Sequence, residues 1–245
     1  MDDDTVIPWL LIDASLERDV EPARVRPIWG VDVARKGRDA SALAKRQGNA
    51  LMEPIQIKRG RDTMQTAGWI KAEWDNTLPS LRPSAINVDL IGIGSGVVDR
   101  LHELGLPARG INVSESSATS DRYERLRSEL WWKGRMWFEK KDSRLHGTGW
   151  RWNKGLEMWE VAEGVDWKDE FLAAELALPT FDYTSSGKIS VEQKKVTMKR
   201  TGQPSPNRAD AFLLSLASDA ITLSGTSSEP LSWREAIQRK IPGIV

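Results

Sequence analysis

The chain has 245 residues, 40 % of them hydrophobic, which suffices for one large domain with a core of its own. Its 35 basic and 35 acidic residues cancel, so any contact with nucleic acid has to come from local basic patches and not from the field of the whole molecule. The absence of cysteine excludes disulfides, thiolate zinc sites and a cysteine nucleophile; no apolar run approaches the ~20 residues of a membrane span, and the acidic MDDD start is unlike a secretory signal, so a soluble, intracellular protein is expected.

Residues 1 to 26 carry an apolar patch, VIPWLLIDA, and then SLERDVEPARVR; they read as a helix and a connector stopped at a proline, a linker entering a domain. PIWGVDVA, residues 27 to 34, is the first strong strand. RKGRDAS follows as a turn, and ALAKRQ and ALMEPIQIK read as two further strands of an antiparallel meander. From Arg61 to about Leu78 apolar residues recur at helical spacing, and AINVDLIGIGSG reads as a strand running into a glycine loop. VVDRLHEL is helical, ARGINV a strand, DRYERLRSELWWKGRMWF a long amphipathic helix and DWKDEFLAAELA another helix. PTFDYTSSGKISVEQ predicts a hairpin turning at Ser186-Gly187, and after a basic stretch SPNRADAFLLSLASDAI predicts a helix. The domain is expected to span 27 to 222, with 223 to 245 a flexible linker and short terminal helix. This order of elements describes an α/β domain with a mixed sheet, its first three strands antiparallel and the later ones parallel, flanked by helices.

Three acids fall on faces that should be apolar. Asp210 lies three, four and seven residues before Leu213, Leu214 and Ala217, on the stripe that should face a core. The strand period of two puts Asp32 with Ile28 and Gly30, and Asp89 with Asn87 just before the chain exits at Gly92. Open α/β sheets place their ligand crevices beyond the carboxyl ends of parallel strands, where Asp89 is expected. A lone strand aspartate is more often tied to a backbone N–H or an arginine than catalytic. One divalent cation, or a pair, accommodates all three acids at once with hard oxygen ligands.

GIGSG, residues 92 to 96, invites a competing idea, a dinucleotide-binding turn. The third glycine position holds Val97 and the acid precedes the loop, so a tight strand-to-helix turn is the sufficient explanation. No G-x-x-x-x-G-K-[ST] phosphate loop is present. His102 and His146 belong to no metal-ligand spacing.

GVDVARKGRDAS, INVDLIGIGSGVVDRL, RYERLRSELWWKGRMWFE and GKISVEQKKVTMKRTGQPSPNRADAFLLSLA, in that order, resemble the C-terminal nuclease domain of the large terminase subunit of tailed bacteriophages. The resemblance implies an RNase H-like fold whose divalent-metal site cuts concatemeric double-stranded DNA during genome packaging. It puts the metal-binding, catalytic acids on Asp32, Asp89 and Asp210; two Mg²⁺ or Mn²⁺ ions suit such ligands, and Asp32, on the first strand at the centre of the sheet, is expected to bridge both. It also implies an ATPase domain, whose motifs this chain lacks, a small terminase subunit and a portal protein as partners, and action at the procapsid in the host cytoplasm. Asn207-Arg208 stand where the family more usually has an acidic and an apolar residue.

Asp39, in GRDAS, is expected to cap its turn or to stand behind the metal ligands. Lys194, Lys195, Lys199 and Arg200 are the candidate phosphate contacts, and Arg122, Arg125, Arg127, Lys133 and Arg135 are further basic side chains on the long helix. Trp131, Trp132 and Trp137 on that helix read as core. A reading from another class makes the chain a non-catalytic module that docks DNA or the portal through residues 230 to 245, its acids holding a structural ion.

Overall fold

The structure is a computed structural model and describes residues 4–34, 39–117, 119–147, 150–153, 158–161 and 166–217. In chain order the elements are α1 (Trp9–Glu17), β1 (Ile28–Asp32), β2 (Ala40–Gln47), β3 (Ala50–Leu51), β4 (Gln56–Arg59), α2 (Thr63–Asp75), β5 (Ala85–Asp89), α3 (Gly94–Glu103), β6 (Ala108–Ile111) and α4 (Leu126–Glu139). They continue with β7 (Trp150–Asn153), β8 (Met158–Val161), α5 (Glu170–Leu176), β9 (Phe181–Tyr183), β10 (Ile189–Val191), α6 (Lys194–Thr201) and α7 (Asn207–Leu214).

The main sheet runs β3-β2-β1-β5-β6, with β4 also paired to β2. β1 to β4 are antiparallel, whereas β1, β5 and β6 are parallel, as the order of elements predicts for a mixed sheet. Side chains alternate between its faces. Trp29, Val31, Ile86 and Val88 pack with Ile70 of α2 and Leu101 of α3 in one core. Ala42 and Ala44 lie in the other, with Phe212 and Leu213 of α7, Trp131, Trp137 and Phe138 of α4, Leu172 of α5 and Ile12 of α1.

Small residues let α7 press onto this second face. Gly30 of β1 pairs with Ala44, and a Cβ at Gly30 would stand 1.9 Å from the Ala211 carbonyl oxygen and 2.6 Å from the Ser215 nitrogen. Helix ends leave carbonyls unsatisfied, and here the sheet supplies their partners. Buried Arg46 of β2 donates to Ser215 O at 2.6 Å and to Ser215 Oγ at 3.0 Å. Asn87 of β5 donates through Nδ2 to Leu214 O at 2.8 Å. With its C-terminal end held over the middle of β1, β2 and β5, α7 brings its first turn to the carboxyl ends of β1 and β5.

Several elements differ from the sequence expectation. Residues 4 to 17 are part of the packed domain: Val6, Ile7, Ile12 and Leu16 are buried, and Val6 N donates to Pro179 O at 2.9 Å. Of the patch that reads as the start of a linker, Val6, Ile7 and Ile12 are buried in the core that includes α4 and α5, while Trp9 and Leu10 face outward. The strand expected over ALMEPIQIK is split into β3 and β4 around Pro54, which has no N–H to give a ladder. α4 begins at Leu126 and not near Asp121, because residues 122 to 124 pair with β10: Ile189 N donates to Arg122 O at 2.8 Å and Glu124 N to Ile189 O at 3.0 Å. The basic stretch after the hairpin is a helix, α6, ended by Gly202 in the left-handed region at φ 68°. The hairpin of β7 and β8 has no counterpart in the sequence reading. The expected terminal linker and helix, 223 to 245, lie outside the described residues.

Replacing Gly30 by alanine is expected to push α7 off the sheet and to destabilise the protein by about 3 kcal/mol. Gly68→Ala, in the middle of α2 with nothing within 4 Å of the new methyl, is expected to stabilise it by about 0.5–1 kcal/mol. Urea denaturation of the two variants against wild type checks both signs.

Candidate functional site

Asp32 and Asp89 are the last residues of β1 and β5, adjacent parallel strands whose register sets Val31 beside Val88. The two acids therefore leave the sheet at the same level and, one residue on from those apolar side chains, toward the face that α7 covers. Asp210 stands in the first turn of α7, above them. The three segments are far apart in the chain and meet at the carboxyl end of the parallel strands. Lys194, the first residue of α6, reaches into the group: its Nζ is 2.8 Å from Asp210 Oδ2 and 3.8 Å from Asp32 Oδ2, and it donates to Asn207 Oδ1 at 3.2 Å. Asp89 Oδ1 accepts from the Ile91 N–H at 3.0 Å, which ties the acid to the start of the glycine loop.

Burial and like charge oppose ionisation here. Burial is the main reason that the Asp32 carboxyl is pushed up from 3.8 to about 8; Lys194 pulls it down, while Asp210, Asp89 and Glu175 push it further up. Asp89 is raised to about 6, again chiefly by burial, with the Ile91 N–H resisting and Asp210 adding to the rise. For Lys194 burial works against the ammonium, but Asp210 and Asp32 outweigh it and hold the lysine charged well above its ordinary range. A fourth acid lies close by. Glu175 of α5 is raised by burial and accepts from Ala209 N at 3.0 Å, capping the first turn of α7 next to Asp210.

No protein-family model matches the sequence, and no curated protein matches it. Solved structures do. The nuclease domain of the large terminase subunit gp2 of bacterial virus Sf6 superposes with a TM-score of 0.65 at 18% identity, covering 87% of this chain and 99% of that one. A variant of the same domain solved with manganese gives 0.63 at 18% identity over the same shares. The large terminase nuclease of thermophilic phage G20c, solved with bound magnesium, gives 0.54 at 14% identity over 87% of this chain and 97% of that one. The fold is that of a large terminase nuclease domain. The RNase H-like fold implied by the ordered motifs is thus the fold the chain has.

Within this terminase nuclease fold the remaining candidates scatter. Lys194 turns its ammonium to the acids and is only partly exposed, whereas Lys195 and Lys199 are exposed along α6. Arg200 is bound to Glu192, at 2.7 and 2.9 Å, and to the Leu178 carbonyl. Asp39 is exposed just ahead of β2; the turn it was expected to cap, 35 to 38, lies outside the described residues. Trp131 and Trp137 are buried in the core, as their positions on the long helix suggest. His146 is buried and bonded to Arg18 O. The sequence reading missed Glu175, Asn87 and the inward position of Lys194. Only Asn87 left a trace, as a polar residue sharing the face of Asp89.

The raised Asp32 has a consequence for stability. Between about pH 4 and pH 8 the folded chain holds a proton there that the unfolded chain has lost, so the stability this proton brings is complete below about pH 4 and is lost as pH rises through about 8. In EDTA, urea melts of wild type are expected to fall in stability from about pH 6 to pH 8.5 more steeply than those of Asp32→Asn. Equal slopes would mean that Asp32 is already ionised.

Proposed function

We propose that this chain is a divalent-metal-dependent endodeoxyribonuclease that cuts concatemeric double-stranded viral DNA during genome packaging into the capsid. The observation that carries the reading is the convergence of Asp32, Asp89 and Asp210 at the carboxyl ends of neighbouring parallel strands. The terminase nuclease fold supports it, and so does the solution of structurally similar nucleases with manganese or bound magnesium.

The donor set suits hard cations. It offers carboxylate oxygens from three elements and no sulfur, which fits Mg²⁺ or Mn²⁺. Among the described residues no three acid or imidazole side chains stand close enough together to hold an ion as they are. Repulsion among the acids, relieved by one ammonium, fits that spacing: Lys194 supplies the positive charge at Asp210 and Asp32, and would have to give way there for these carboxylates to hold a metal. Asp32, Asp89 and Asp210 are the residues that would hold the ions, with Asp32 the proposed common ligand. The chemistry the ions supply when bound is activation of an attacking water and stabilisation of the 3′ oxygen that leaves. The chain's own part is to hold the three carboxylates on rigid elements, with the backbone hydrogen bond at Asp89 and the clamp on α7 fixing their directions. Lys195 and Lys199, exposed on the helix that begins at Lys194, are placed to take DNA phosphates. Translocation belongs to a terminase ATPase domain; that domain, the small terminase subunit and the portal are the proposed partners, at the procapsid in the host cytoplasm. No helix among the described residues is long and apolar enough to cross a membrane.

Supercoiled plasmid incubated with the protein and Mn²⁺ is expected to be nicked and linearised, EDTA to stop the reaction, and Asp32→Ala, Asp89→Ala and Asp210→Ala each to slow it by about 100-fold or more. Nicking that persists in EDTA or in Asp32→Ala would remove this site from the chemistry. Mn²⁺ is also expected to raise the melting temperature of wild type and not of Asp32→Ala. Lys195→Ala with Lys199→Ala should weaken binding to DNA of any sequence and flatten its salt dependence by about one unit of slope per lysine, read from titrations at several salt concentrations.

A further inference from the structure

Four of the five basic side chains that the long helix and its approach offer have partners or lie in the open. Arg122 stacks on Tyr123, Arg125 donates to Ser114 O, Lys133 pairs with Glu129 and Arg135 with Glu139. Arg127 differs. Its guanidinium lies over the Trp131 ring, 5.6 Å from the centroid, and both terminal nitrogens are shut off from solvent without a hydrogen-bond partner.

Its position is fixed from two sides. The Arg127 N–H donates to Val113 O at 3.0 Å, in the loop leaving the carboxyl end of β6, and the neighbouring Ser128 Oγ accepts from Val191 N at 3.1 Å, three residues ahead of Lys194. Arg127 is therefore at the same end of the sheet as the three acids. The nearby carboxylates whose charge favours its own are Asp210 and Glu192, and both are already engaged, Asp210 by Lys194 and Glu192 by Arg200 and Thr197. Arg46 shows the contrast: buried as well, it gives its donors to Ser215 and Gly48. A buried guanidinium without partners costs stability, and an apolar side chain of similar size would serve packing better. Local rules broken in this way mark functional positions.

We propose that Arg127 is a substrate-binding residue that takes the non-bridging oxygens of a nucleic-acid backbone phosphate at the acid cluster. The inference rests on the nuclease reading. A planar fork of donors matches a phosphate, and a cation beside the carboxylates is what a polyanion needs to approach them. Reaching the guanidinium requires side chains at the cleft to part, a change already demanded at Lys194 when cations enter.

The test uses Arg127→Met and Arg127→Lys with all three acids intact, and binding of a short fluorescent duplex is measured in Ca²⁺, a hard cation for the same carboxylates that supports hydrolysis poorly, so that cleavage does not interfere. Arg127→Met is expected to melt at the same temperature as its parent or higher, and to bind the duplex at least about tenfold more weakly with a shallower salt dependence. Arg127→Lys should recover part of the affinity, and in Mn²⁺ kcat/KM for plasmid should fall in the same order. A lower melting temperature with unchanged duplex affinity would make Arg127 structural and overturn the proposal. So would unchanged duplex affinity together with stabilisation by inorganic phosphate that Arg127→Met loses, which would mark a free-anion site. If wild type fails to cut while duplex binding still depends on Arg127, the nuclease reading falls and the phosphate contact stands; if it cuts and binding ignores Arg127, the reverse holds.

Discussion

Three carboxylates brought together in a largely buried place repel one another, and the rest of the site is arranged around that repulsion. Lys194 provides one positive charge at 2.8 Å from Asp210 and 3.8 Å from Asp32, and it does not balance the set. Burial first, and the neighbouring acids after it, push Asp32 up to about 8 and Asp89 up to about 6, so both take up protons more readily than a free carboxylate. On the proposed reading, divalent cations, carrying twice the charge of a proton, would stabilise such a group of acids.

Such a cluster persists only if the scaffold cannot relax away from it, and α7 is where relaxation would be easiest. The helix is held at both ends. Glu175 accepts from Ala209 N in its first turn, while Arg46 and Asn87 satisfy carbonyls at its far end. Between these ends Gly30 allows the helix backbone to lie directly on β1, two residues before Asp32. Asn87 likewise stands two residues before Asp89. The strands that carry the acids thus also carry the residues that seat the helix, so the positions of all three carboxylates are coupled through the same contacts.

Much of this was legible in the sequence. The alternation of β1 put Asp32 on a face with Ile28 and Gly30, that of β5 put Asp89 with Asn87 at the strand's end, and helical spacing put Asp210 on the apolar stripe of its helix, where an acid needs a reason. The mixed sheet followed from the order of elements. What could not be read depended on contacts distant in the chain. Lys194 in KKVTMKR is one lysine of several, and only its contacts with Asp210 and Asn207, distant in the chain, turn it inward. Glu175 sits in an ordinary amphipathic helix, and its role as a cap of α7 is a tertiary fact. The apolar patch near residues 6 to 12 reads equally as the edge of a linker or the margin of a core, and α4 and α5 decide it. Arg127 belongs to a run of basic residues whose partners the sequence does not name.

The account depends on cations taking the place of the lysine among the acids. A crystal structure grown with Mn²⁺, with the metal located by its anomalous scattering, tests this most directly. The account predicts manganese bound by Asp32, Asp89 and Asp210, with the Lys194 ammonium withdrawn from Asp210. Manganese bound elsewhere, or the contact between Lys194 and Asp210 unchanged at saturating metal, would contradict it.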